Sequence, residues 1–164
     1  MTISKQHEVG RGFAWAKLTG IALMAFGLSL PGFAALGGDQ SSVQADQAHM
    51  RASLKTTAGS AYTLHEIKTG MGTVVHEFVS PDGRVFAVAW HGPSMPPMQQ
   101  ILGTYFQQYS ALVQAHHAAH GGRRPVNIQQ PGLVVQNSGH PRGFFGRAYV
   151  PEMLPPGVTP DQIH

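Results

Sequence analysis

Two alternating stretches joined by one tight turn constrain this chain more than any other feature. Thr73–Val79 (TVVHEFV) and Arg84–Trp90 (RVFAVAW) flank Ser80-Pro81-Asp82-Gly83. Proline presets φ for a turn and glycine accepts positive φ, so the four residues reverse the chain. Side chains alternate across an extended strand, and the two runs therefore predict an antiparallel hairpin. Tyr62–Ile67 (YTLHEI) and the turn Thr69-Gly70-Met71-Gly72 add a preceding strand and make a meander. If Ser80 pairs with Arg84, Phe78 lies opposite Phe86, His76 opposite Val88, and Val74 opposite Trp90. That set reads as the core face, with His76 as a hydrogen-bonded core histidine. The opposite face (Val75, Glu77, Val79, Val85, Ala87, Ala89) is too apolar to be left wet. It predicts a cover, either the first helix or a partner.

Helical spacing appears twice. Val43, Gln47, Met50 and Leu54 predict a short amphipathic helix over Val43–Lys55, capped by Ser41 or Ser42, with a linker over Thr56–Ser60. Met98, Ile101, Leu102, Tyr105, Phe106, Tyr109, Leu112 and Val113 keep an i, i+3, i+4, i+7 rhythm. They predict one long helix, capped by Ser94 and stopped near His120-Gly121-Gly122, that lies on the sheet. Its aromatic stripe, Tyr105, Phe106 and Tyr109, is by default core packing. Val126–Ile128, Leu133–Gln136 and Phe144–Val150 follow as strands, the last two forming a C-terminal β-hairpin around Asn137–Pro141. From Pro151 the chain is a Pro-rich tail. Consecutive strands with segregated helices mean α+β rather than a doubly wound sheet. The expected architecture is an antiparallel β-meander covered by one long amphipathic helix, in a single domain over residues 35–150.

The first segment has the layout of an address. Lys5, Arg11 and Lys17 precede an apolar run from Leu18 to Leu30, and Pro31-Gly32-Phe33-Ala34-Ala35 supplies small residues. This is the pattern of a secretory signal peptide over residues 1–34, with a run too short to span a bilayer. After cleavage the chain carries eight Lys and Arg against seven Asp and Glu, and nine of ten histidines. The basic pI thus belongs largely to the leader. No Lys/Arg cluster remains beyond Arg123-Arg124, which argues against a nucleic-acid partner. With 42 % apolar and 12 % charged residues, the chain is not intrinsically disordered. No cysteine is present, which excludes a disulfide scaffold, a thiolate metal site and a cysteine nucleophile. The expected location is the periplasm or the medium, with no transmembrane span after cleavage.

Several runs carry a resemblance: Ala35–Asp39 (ALGGD), Gly72–Gly83 (GTVVHEFVSPDG), Val85–Pro93 (VFAVAWHGP) with Met95-Pro96, Leu133–Gln136 (LVVQ) and Gly146–Pro151 (GRAYVP). Together they resemble a family of small exported proteobacterial proteins known as domain of unknown function 2844. The likeness covers essentially the whole chain after the leader. It implies export and a single domain, and brings no activity, ligand or catalytic residue with it.

Three groups of residues remain as candidate chemistry. His116 and His120 are i, i+4 and His117 and His120 are i, i+3, so they can face one Zn, Cu or Ni ion. His140, His91 or His164 would supply a third ligand. The plainer reading is a solvated helix end whose histidines suit the negative dipole terminus. His76 and Glu77 point to opposite faces and cannot act as one acid–base pair, while Glu66 reaches His76 only in some registers of the first hairpin. These three are the only acid–base groups an enzyme acting on envelope material would have. His76, Trp90, His91, Arg142 and Arg147 are the candidate ligand or interface residues. Arg142 and Arg147 flank Phe144-Phe145 and suit an acidic or sugar-like ligand, but the pattern equally describes an edge strand with charged gatekeepers, which we prefer. No nucleophile constellation, phosphate loop or paired carboxylate motif appears. The expected function is a non-catalytic binding or envelope-associated module, whose partner is an envelope protein or a small ligand. A His-based metal protein is the alternative, and an acid–base enzyme the third reading.

Overall fold

The computed structural model describes residues 36–120 and 125–164, and for His120 the backbone alone. The leader, the Gly121-Gly122 helix stop and Arg123-Arg124 lie outside the described residues.

Seven antiparallel strands form one sheet: β1 (Ser53–Ala58), β2 (Thr63–Lys68), β3 (Val74–Val79), β4 (Val85–Gly92), β5 (Val126–Gln130), β6 (Leu133–His140) and β7 (Gly143–Tyr149). Their order across the sheet is β1-β2-β3-β4-β7-β6-β5. The meander therefore runs outward to inward, the helical segment crosses over β7 and β6, and the chain returns as hairpins until β7 closes against β4. β7 is paired on both sides, so the edge-strand reading of Arg142, Phe144, Phe145 and Arg147 is wrong; β1 and β5 are the edges.

The Ser80–Arg84 pairing forms as expected, with Ser80 N donating to Arg84 O at 2.9 Å. The register beyond it differs. Val79 faces Val85, but Phe78 faces Ala87, Glu77 faces Val88, His76 faces Ala89 and Val75 faces Trp90. Phe86 is the extra residue of a β-bulge, and a one-residue shift moves everything after it to the other face. Val88 and Trp90 consequently join Val75, Val79 and Val85 in one core layer. Phe78 and Phe86 join Ala87 and Ala89 in the other. The expected single core face is thus two half-faces, each covered by a different part of the chain.

The first layer lies under the helices. Helix α1 (Gln40–His49) contributes Val43, and the segment after β4 contributes Ile101 and Leu102 from α2 (Met98–Leu102) and Tyr109 from α3 (Phe106–His120). Helical structure continues between α2 and α3 as a 3₁₀ turn, Gly103–Tyr105, with Gly103 at φ 47°. That left-handed value is why glycine stands there. The second layer lies under the C-terminal tail, where Val158 and Ile163 are buried against Phe78, Phe86, Val134 and Tyr149.

Three local expectations need correction. Asp39, not Ser41 or Ser42, caps α1: its carboxylate accepts from the backbone N of Ser41 and Ser42 at 2.9 and 3.2 Å. The helix ends at His49, and Lys55 belongs to β1, where helix end and linker were expected. Ser94 caps nothing; Pro97 precedes α2, and the Ser94 hydroxyl lies 2.8 Å from Thr73 Oγ1.

Candidate functional site

The tail covers only part of its face. Past Ile163 the upper ends of β4, β7, β6 and β5 remain uncovered, and a cleft of about 680 Å³ opens there. That is the size range of small-molecule sites. Alternation along the strands places His91, Phe145, Arg147, Gln136, Ser138 and Asn127 on this face. Ile163 and His164 close one side. Phe145 is 56 % exposed, an unusual state for so large an apolar ring.

Strand pairing sets the wall. His76 on β3 stands directly across from Glu66 on β2, and its Nε2 lies 3.5 Å from the Glu66 carboxylate. Its Nδ1 lies 2.7 Å from the His164 backbone oxygen. The imidazole is therefore committed to protein partners. His91 stacks edge-on against it, ring centroids 5.9 Å apart, and stays exposed. Arg147 is held from two sides. Its Nε donates to Gln136 Oε1 at 2.7 Å, and Nη1 donates to the Pro160 backbone oxygen. Trp90 sits beneath, buried in the helix-side core. Its indole packs over Gly146, where an added Cβ would come within 2.5 Å of the ring.

Four of the five residues named as ligand candidates, His76, Trp90, His91 and Arg147, thus line one cleft. Arg142 does not. It occupies the exposed β6–β7 turn at φ 73°. No local pattern in the sequence marks Gln136, Ser138 or Asn127, and His164 is a candidate there only as a third metal ligand. They converge only because β5, β6 and the tail end beside β7.

A family model described as "Protein of unknown function (DUF2844)" matches residues 32–163. The chain belongs to this family. No curated protein and no solved structure matches it.

The DUF2844 chain carries a second polar group, deep under α1. Asp46 and Glu77 are both fully buried. Gln100 Nε2 donates to Asp46 Oδ1. Burial in the apolar core pushes the Asp46 carboxyl up to about 6. It pushes Glu77 well above the usual range, and the adjacent Asp46 raises it further. The environment favours the protonated form of both carboxyls, and no Lys, Arg or His among the described residues forms an ion pair with either. Neither residue lines the cleft beside Arg147. Glu77 is accordingly separated from His76 and Glu66 by the thickness of the sheet.

The helix-end histidines stand apart from the cleft. His116 and His117 have ring centroids 6.2 Å apart, and the His120 side chain lies outside the described residues. His140 bonds within its own turn, Nδ1 to Pro141 O at 3.1 Å, while His91 and His164 line the cleft. Among the described residues no three His, Asp or Glu side chains are placed to hold one metal ion. None of the described helices is long and apolar enough to cross a membrane.

Proposed function

We propose that this DUF2844 domain is an exported, non-catalytic binding module and that the cleft beside Arg147 is its site. One observation carries the reading. The cleft combines an exposed aromatic ring, a partly buried guanidinium and several amide and hydroxyl groups in one concavity. A few convergent polar groups in an otherwise apolar hollow are what small-ligand sites require. The chemistry there is recognition: His76 is tied to His164 and Glu66, which leaves it little freedom to move a proton. The basic start, short apolar run and small residues before Ala35 support export.

The test is a fragment screen by backbone amide NMR on the chain from Ala35. Shifts should concentrate on β7, β6 and the tail end. Ser138→Trp, which fills the hollow from its rim, should abolish them while leaving the melting temperature within about 2 °C. Fragments that bind only elsewhere would refute the site. Export is read from the N-terminus of protein expressed with residues 1–34 present. Ala35 is the expected first residue, and an intact Met1 would refute cleavage.

A further inference from the structure

The ligand class follows from how the charge in the cleft is balanced. Among the described lining residues Arg147 is the only Lys, Arg, Asp or Glu. Among the described residues no Asp or Glu side chain lies within ion-pair distance of the guanidinium. Neutral oxygens hold its Nε and Nη1, and no described residue accepts from Nη2. A half-buried arginine fixed by neutral partners is oriented without being neutralised. A carboxylate is the group whose two oxygens suit a guanidinium edge, and the charge-assisted bond is roughly twice as strong as a neutral one.

Part of the remaining wall is apolar. Phe145 stands exposed on the same strand two residues before Arg147, hence on the same face. Ile163 also lines the cleft. Glu66 does not line the cleft and is occupied with His76.

We propose, on the reading of the cleft as a binding site, that its ligand is a small organic acid, one carboxylate on an apolar body. The carboxylate meets Arg147, with His91 beside it, and the body lies along Phe145 toward Ile163.

The experiment compares matched probes by amide NMR titration. One series is octanoate, 1-octanol and octylamine. The other is 3-phenylpropanoate, its amide and 3-phenylpropylamine. At least one acid should bind in the cleft about tenfold or more tighter than its neutral and cationic counterparts. Arg147→Gln should reduce the acid to the level of the neutral probe. Phe145→Ala, at an exposed position outside the tail clamp, should weaken acid and neutral probe equally and so keep the test open if Arg147→Gln unfolds. Equal or tighter binding of the neutral or cationic probes would overturn acid recognition while leaving the cleft a binding site. So would the failure of both acids where screening fragments still bind. No shift in the cleft from any probe or fragment would remove both readings.

Discussion

Glu77 shows how far a single residue's meaning depends on its surroundings. On the strand it is one polar position in an alternating run. In the fold it is a carboxyl sealed beside Asp46 under α1, with Gln100 as the hydrogen-bond donor to the pair. Burial favours the protonated form, so the native state holds protons that the unfolded chain releases. The sign is the reverse of ordinary acid denaturation. The folded values lie above the unfolded ones, so this contribution is complete below about pH 4 and fades as pH rises, through about 6 for Asp46, with Glu77 shifted in the same direction. His65, buried on the same side and lowered by desolvation, works the other way as pH falls. Comparison with Glu77→Gln isolates the carboxyl pair. The variant should melt about 3 °C or more above wild type at pH 8, and nearly level with it at pH 5, by differential scanning calorimetry. A variant that is less stable at pH 8 would mean the charged pair is held by partners and is not strained. Nothing local in the sequence says that α1 lands on Glu77 and brings Asp46 to it.

Elements differ in how plainly they announce themselves. β2, β3 and β4 are legible because each alternates and each is bounded by a turn with fixed chemistry. β1 is not. Its burial is almost nil apart from Leu54, since it is an edge strand held by backbone pairing with β2 from Ser53↔Lys68 to Ala58↔Thr63. Backbone pairing leaves no trace in hydropathy. The bulge at Phe86 is equally silent, and the shift it imposes undid the expected cross-strand pairs while leaving the strands in place. The long helix was legible as a rhythm, but the turn at Gly103 was not, because the apolar spacing passes through it unbroken. The C-terminal tail is the clearest case of an element whose worth lies in what it touches. Pro160 and Ile163 backbone oxygens face Arg147, the His164 oxygen faces His76, and the Ile163 side chain is buried. Deleting residues 158–164 should uncover Phe78, Phe86 and one wall of the cleft. Removing two buried aliphatic side chains costs about 2–5 kcal/mol each where the site cannot collapse. The truncated chain should show a urea midpoint clearly below wild type and increased binding of a hydrophobic dye. An unchanged midpoint would mean the tail rests on the surface without supporting it.

At the scale of the whole molecule, the α+β class, the antiparallel meander, the C-terminal hairpin and the family membership were determined by the sequence alone. Those features rest on short-range rules: alternation, helical spacing, and the geometry of Pro, Asp and Gly in turns. The individual cleft residues His76, Trp90, His91 and Arg147 were also nameable, as uncommon side chains in a plain sequence. Their assembly was not. It depends on β7 lying centrally between β4 and β6, on the tail folding back over half a sheet face, and on β5 ending level with both. Each is a choice among long-range pairings whose loop-closure cost and burial gain are properties of the whole chain. Tertiary structure alone decided that Arg147 is held by Gln136 and the tail, with no Asp or Glu side chain among the described residues paired to it, and that Asp46 meets Glu77. Charge balance is set by what the fold brings within a few ångströms, and no local pattern of residues encodes that distance.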